Sequence, residues 1–254
     1  MLAIEPVACL TDNYAYLIHD GASGLCAVVD PSEPLPVKRA LSEHGWKLTH
    51  ILNTHHHFDH TGGNVALKEE FGAEVVGPGK DRERIPGIDT GVDESAPWSF
   101  GAHRVRVLEI PAHTRAHIAF VFDDEKAVFT GDTLFSMGCG RLFEGTPEMM
   151  WASLSKLMKL DDATRVYCGH EYTMSNGRFA LTLEPGNPDL KARMKEVEAL
   201  RARNAPTIPS TIGLEKKTNP FLRPDSPEIR RTLDMASASN VDVFAETRRR
   251  KDVF

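Results

Sequence analysis

The stretch NTHHHFDHTGG, Asn53 to Gly63, sets four histidines and one aspartate into the six positions from His55 to His60. The preceding LTHILNT, Leu48 to Thr54, reads as a strand, and in a strand side chains at i and i+2 share a face while i+1 points the other way. His55 and His57 are therefore expected to converge on one site, with His56 turned away. Asp59 and His60 lie past the strand end, where the turn into a helix aims both at a second site beside the first, with Phe58 packing at the turn. Thr61 is expected to cap that helix, with Val65, Ala66 and Phe71 repeating on one face and Gly72 ending it. Imidazole and carboxylate donors suit zinc, iron or manganese, so the run reads as half of a two-metal centre.

A histidine-rich loop is often merely solvated, but the apolar strands downstream argue otherwise. LEIPAH ends in His113, VFTGD in Asp132 and VYCGH in His170, and functional residues collect on loops held by such scaffolds. The seven ligands divide as His55, His57 and His113 for one ion and Asp59, His60 and His170 for the other, with Asp132 bridging. Two neighbouring ions sharing one hydroxide bring the pKa of bound water to near neutral, which makes a nucleophile for hydrolysis. No GxSxG elbow occurs, and Cys9, Cys26, Cys139 and Cys168 lie in no CxxC pair or nucleophile motif.

Around this run the chain alternates strands and helices as far as Tyr172. YAYLIH and LCAVVD flank a glycine-rich turn, Pro36 to His44 is helical with Gly45 as its C-cap, and HRVRVLEI, HIAFVFDD and KAVFTGD follow the polar stretch Gly77 to Pro97. HIAFVFDD is nearly all apolar, as for a strand covered on both faces. A helix from Pro147 to about Leu160 leads into RVYCGH. Two sheets packed together with helices outside are expected, an α/β layered sandwich over residues 1–172. From 173 the pattern turns helical in four segments (Thr173 to Glu184, Asp189 to Arg203, Pro227 to Met235 and Val241 to Lys251), so residues 173–254 are expected to form a small helical C-terminal domain.

Composition bounds the function. With 41% hydrophobic and 26% charged residues and no long apolar run, the chain has ordinary globular character and no membrane span. The N-terminus lacks a basic region before an apolar run, so a cytoplasmic location is expected. A formal charge of -6 argues against nucleic acid as a partner. Arg248 to Lys251 is a run of four cations, on composition alone a solvated helix end.

Together THHHFDH, GDTLF and GHEYT resemble the metallo-β-lactamase superfamily, and within it the hydroxyacylglutathione hydrolases, the glyoxalase II family. The likeness runs from LTDNYAYLI through GCGRLFEGT to NPFLR and RRRKDVF, nearly the whole chain. It implies a four-layer αββα sandwich, two divalent ions with zinc first among them, and hydrolysis of S-D-lactoylglutathione to D-lactate and glutathione by the metal-bridging hydroxide, with Asp59 and Asp132 as catalytic ligands. The family's metal pattern falls on the seven residues above, and its glutathione pattern on Arg141, Tyr172, Arg248 and Lys251. The resemblance recasts the basic tail as cations over the mouth of the site, leaving Arg249 and Arg250 as solvated charge. Phe143 stands where some members carry a glutathione-binding tyrosine, so one hydroxyl contact is missing, and Ala112 and Ala116 replace frequent glycines beside His113. A monomer acting on a small thioester is expected. A persulfide dioxygenase would use one iron, a β-lactamase would carry cysteine at 132, and a nuclease of the fold would need a basic surface. His117 is expected in a structural role or as a support for a ligand, Asp30 as a support or a turn former, Asn13 and Tyr14 to shape the loop under the metals, and His19, His44, His50 and His103 to be surface or satisfied histidines.

Overall fold

Along Asn13–Asp20 the side chains alternate in facing, Ala15 and Leu17 one way and Tyr14, Tyr16 and Ile18 the other, and all five are buried. A strand buried on both faces needs a layer on each side, and the computed structural model, which describes residues 1–254, supplies both. Two compact units make up the chain: Met1–Glu109 with Ala116–Gly131, and Ile110–Arg115 with Asp132–Phe254. These units divide the chain at other points than the change of sequence character at 173.

In the first unit, β1 (Leu2–Cys9), β2 (Asn13–Asp20) and β3 (Cys26–Val29) pair antiparallel. Helix α1 (Pro34–His44) follows, ended by Gly45 at φ 68°, a left-handed turn that glycine adopts without strain. β4 (His50–Leu52), the short α2 (Phe58–Thr61), α3 (Asn64–Phe71), β5 (Glu74–Pro78), a 3₁₀ turn (Gly79–Arg84) and β6 (Thr90–Val92) come next. β3 to β6 pair in parallel, completing a six-stranded sheet. β7 (Trp98–Phe100), β8 (His103–Glu109), β9 (Ile118–Phe122) and β10 (Ala127–Gly131) form an antiparallel meander, and β9 is buried at every position.

Val37 and Leu41 of α1 and Leu67 of α3 pack on Ala15, Leu17, Val28, Ile51 and Val75, covering one face of the first sheet. The other face meets the meander: Tyr16 lies 5.6 Å from Phe129 between ring centroids, and His50 lies 5.4 Å from Phe100. Helix, sheet and sheet thus stack within this unit.

Some expectations need correction. Thr61 is no N-cap; it ends α2, and its hydroxyl donates to the His57 carbonyl at 3.2 Å, while Gly63 precedes α3. α3 buries Asn64 and Leu67 and packs Phe71 against the core, but leaves Val65 exposed. Phe58 is 78% exposed and packs in no core. Gly77 to Pro97 contains the end of β5 and all of β6, short parallel segments that a polar sequence conceals.

The second unit holds the hairpin of β11 (Leu134–Phe135) and β12 (Gly138–Cys139), then α4 (Pro147–Leu157), β13 (Arg165–Cys168), α5 (Thr173–Leu183), α6 (Pro188–Arg201), β14 (Ser210–Thr211), α7 (Ile212–Thr218), α8 (Pro227–Leu233) and α9 (Asn240–Asp252). α7 follows a Pro- and Thr-rich loop and was not anticipated. Met137 in the hairpin turn packs with Ala180, Leu190, Met194 and Val197 of α5 and α6. Asn219 donates to the carbonyls of Phe135 and Gly138 at 3.2 and 2.9 Å, and buried Glu215 accepts from Met137 N at 2.7 Å, so the hairpin is tied to the chain end of α7. No helix is long and apolar enough to cross a membrane.

Candidate metal centre and substrate-binding residues

Parallel strands deliver loops at their carboxyl ends, where α/β sheets characteristically bind ligands. β3 ends at Asp30, β4 runs into the histidine loop, and β5 into the turn that holds Asp81. His55 to His57 lie beyond β4 rather than on it, yet the predicted alternation holds. His55 Nε2 and His57 Nδ1 stand 3.2 Å apart, whereas His56 turns to Asp81, 3.0 Å away.

Asp30 organises two of the candidate ligands. Its Oδ1 accepts from Thr54 N at 2.8 Å and its Oδ2 from the Thr54 hydroxyl at 2.6 Å. The only hydroxyl proton of Thr54 is thereby used, so Thr54 Oγ1 accepts from His55 Nδ1 at 3.0 Å. Asp30 Oδ2 also accepts from His60 Nδ1 at 3.2 Å. Both rings are left with Nε2 as the lone-pair nitrogen, the arrangement a metal requires. Asp30, His55 and His60 gather their ligand atoms within 4.8 Å of one another. Asp59 sits 3.6 Å from His60 Nε2 and accepts from Asn13 Nδ2 at 3.1 Å. His117, fully buried, stacks on His55 with centroids 4.6 Å apart. Asp30 and Asn13 thus make hydrogen bonds that hold the candidate ligands His60 and Asp59, Asp30 also reaching His55 through Thr54, and His117 stacks on His55.

In the second unit, Asp132 Oδ2 lies 3.5 Å from His113 Nε2 and 3.2 Å from His170 Nε2, all three side chains being buried. His113 Nδ1 donates to the Arg141 carbonyl at 2.9 Å, which again leaves Nε2 as the lone pair. Phe143 is exposed and lies 5.2 Å from the His113 ring. Tyr172 stacks on His170 at 4.7 Å, nearly coplanar at 4°. Ala112 has φ 143°, a backbone region that favours glycine.

The basic tail departs from its sequence reading. Arg248 is 6% exposed, donates to the Cys139 carbonyl at 2.7 Å, lies 4.9 Å over the Phe221 ring and pairs with Asp252 at 3.1 Å. Arg141 is largely exposed and stands 3.9 Å from the same Asp252 carboxylate. Lys251 Nζ reaches Ser175 Oγ at 3.1 Å, and burial, with repulsion from Arg248 and Arg141, holds its ammonium down to about 8. Arg249 and Arg250 are not simply solvated. Both donate to Glu246, at 2.7 and 2.9 Å, and hold its carboxyl down at about 2.

Each unit thus carries a cluster of oriented imidazoles and carboxylates, a donor set that fits hard or borderline divalent cations. The cysteines are free and buried, and burial pushes the Cys139 and Cys168 thiols up to about 11 and about 12, so no thiolate competes as ligand or nucleophile. His103 pairs with Asp124 at 2.6 Å, while His19 and His44 stack on Trp46, as satisfied histidines.

Residues 10–170 match the family model for the metallo-beta-lactamase superfamily, and residues 171–254 that for the hydroxyacylglutathione hydrolase C-terminus. The hydroxyacylglutathione hydrolase of Methylococcus capsulatus is 53% identical over 254 residues, covering 100% of this chain and 99% of that protein. That of Rhodospirillum rubrum is 51% identical over 253 residues, with the same coverage. Among solved structures, ETHE1 from Myxococcus xanthus superposes with a TM-score of 0.68 at 25% identity, covering 98% of this chain and 90% of that one. A protein solved in a di-iron-bound form gives 0.62 at 26% identity, covering 87% and 100%. The fold is the metallo-β-lactamase α/β sandwich with a helical C-terminal region.

Proposed function

Since the chain belongs to the hydroxyacylglutathione hydrolases of the metallo-β-lactamase superfamily, we propose that it hydrolyses S-D-lactoylglutathione and related 2-hydroxyacyl thioesters to the hydroxy acid and glutathione, the second step of methylglyoxal detoxification. The observation that carries this reading is the orientation of the imidazoles: His55, His60 and His113 each have Nδ1 committed to an oxygen and Nε2 left as donor. Such commitment is how proteins prepare histidines for metal. His55, His57 and His113 would hold one ion, Asp59, His60 and His170 the other, and Asp132 both. Zinc is our first assignment, with iron or manganese admitted by the same donors.

When bound, two divalent ions supply water that ionises near neutral pH and positive charge for the developing oxyanion. The chain's own residues do the rest. Asp59 and Asp132 serve as ligands, and Asp132 faces two imidazole nitrogens at once. Residues 1–172 form the catalytic domain in this reading, and 173–254 contribute binding groups. Arg141, Arg248 and Lys251 offer cationic hydrogen bonds to the glutathione carboxylates, Tyr172 a hydroxyl beside His170, and Phe143 an apolar edge where a hydroxyl contact is lacking. The departing thiolate has a pKa of about 8.5, so no strong general acid is needed. We place this activity in a cytoplasmic monomer acting on a small molecule, with neither nucleic acid nor membrane as partner; the net charge of -6 and the free, buried thiols support this.

Thiol release from S-D-lactoylglutathione, with metal content measured on the same sample, tests the reading. Two ions per chain and rapid release are expected, and metal-loaded protein that releases no thiol would overturn it. Asp132→Ala should abolish turnover, whereas Lys251→Ala should mainly raise KM.

A further inference from the structure

Three neighbouring parallel strands end beside the histidine loop, and one of their polar residues has no part in the chemistry above. Asp81 is 2% exposed, in the turn after β5. Arg84 Nε donates to its Oδ1 at 2.6 Å, and its Oδ2 faces His56 Nδ1 at 3.0 Å. A second guanidinium nitrogen of Arg84 reaches His56 Nε2 at 3.1 Å, closing the triangle. A guanidinium only donates, so His56 Nε2 accepts, and the ring proton sits on Nδ1 toward the carboxylate. His56 Nε2 is thereby held by Arg84 and Nδ1 is set against the Asp81 carboxylate, while the ring meets that of His57 edge-on with centroids 4.9 Å apart.

We infer that Asp81 and Arg84 are positioning residues for metal binding, acting through His56. β4 stops at Leu52, so strand alternation does not by itself direct His55 to His57. The clamp on the middle ring favours that alternation: with the His56 nitrogens directed at Asp81 and Arg84, His55 Nε2 and His57 Nδ1 are left facing each other, 3.2 Å apart. It also removes a competing donor. Three adjacent imidazoles offer an ion several wrong pairings, and a ring whose lone pair accepts from a guanidinium offers none. The inference rests on the metal assignment proposed above.

The test is zinc affinity, measured by competition with a chromophoric chelator, for wild type, Asp81→Asn, His56→Leu and His56→Gln, together with melting of each metal-free protein. Losing an outer partner of a metal ligand typically costs about 10–100-fold in affinity, and that loss is expected for Asp81→Asn and His56→Leu. His56→Gln should bind zinc as wild type does, because its amide can donate toward Asp81 and accept from Arg84. Unchanged zinc affinity with lowered metal-free melting would reduce the triangle to a structural role and overturn the inference, as would a His56→Gln as weak as His56→Leu. Should Asp81→Asn fail to fold, the His56 pair decides alone. Failure of the wild type to bind two ions would instead refute the metal assignment, and the positioning role with it.

Discussion

His113 Nδ1 donates to the carbonyl oxygen of Arg141 at 2.9 Å. The residue proposed to hold glutathione by its side chain therefore also sets, through its backbone, which nitrogen of His113 keeps its lone pair for the proposed metal. The proposed ligand and the loop proposed to bind substrate are joined by that hydrogen bond.

Gly140 makes that closeness possible. A Cβ there would collide with the Asp132 carbonyl oxygen and lie 2.9 Å from His113 Nδ1. Gly140→Ala should displace the loop carrying Asp132 and Arg141, lowering kcat/KM by about 10²-fold, since misplacement of about 1 Å costs that much. Steady-state kinetics with metal analysis checks this, and near-normal turnover with full metal would contradict it.

Asp30 should matter to the metal more than to the backbone. Its φ of 49° is left-handed, a region asparagine also adopts, so Asp30→Asn keeps the turn. The amide sets N–H groups against Thr54 and His60, which already donate, and leaves a buried donor unmatched at a cost of about 1–3 kcal/mol. Zinc affinity should fall about 10–100-fold. Chelator competition and thermal melting separate the two effects.

Lys251 predicts a pH dependence. Its pKa, held to about 8 by burial and by Arg248 and Arg141, leaves it charged below that pH and neutral above it. Binding of an anionic substrate should weaken as pH rises through about 8, so KM climbs there while kcat stays level. Lys251→Arg should remove that limb, because a guanidinium keeps its charge. A KM limb unchanged in the arginine variant would assign the titration elsewhere.

Two glutamates should differ sharply. Glu215 is fully buried, and burial raises its carboxyl pKa although it accepts from Met137 N, Asn219 Nδ2 and the Ser210 hydroxyl. Glu215→Gln turns a donor toward donors and should destabilise by about 1–3 kcal/mol. Glu246, paired with Arg249 and Arg250 at the surface, should cost no more than about 0.5 kcal/mol when changed to Gln at neutral pH. Denaturant melts of both variants provide the comparison.

By itself the sequence determined the ligand types and their order, because metal chemistry needs donors that few residues supply and because strand and helix periods are local. NTHHHFDHTGG, His113, Asp132 and His170 stood out as candidate donors for that reason, as did β2, β3, β4, β8, β9, β10 and β13 and most of the helical tail, whereas β1, β5, β6, β7 and α7 did not. Asp30 stood out as a candidate support, but the contacts by which it and the other partners hold the donors were not legible. Asp30 acts from 24 residues away on Thr54, Asp81 turns His56 aside from 25 positions downstream, and Arg248 reaches the Cys139 carbonyl across 109 residues. These contacts follow from which strand ends lie side by side and from how the hairpin is tied to the last helices. A partner chosen by proximity in space leaves no period in the sequence. Only the tertiary structure decided that the middle histidine is clamped, that Phe58 faces solvent, and that Arg248 is buried among its own partners.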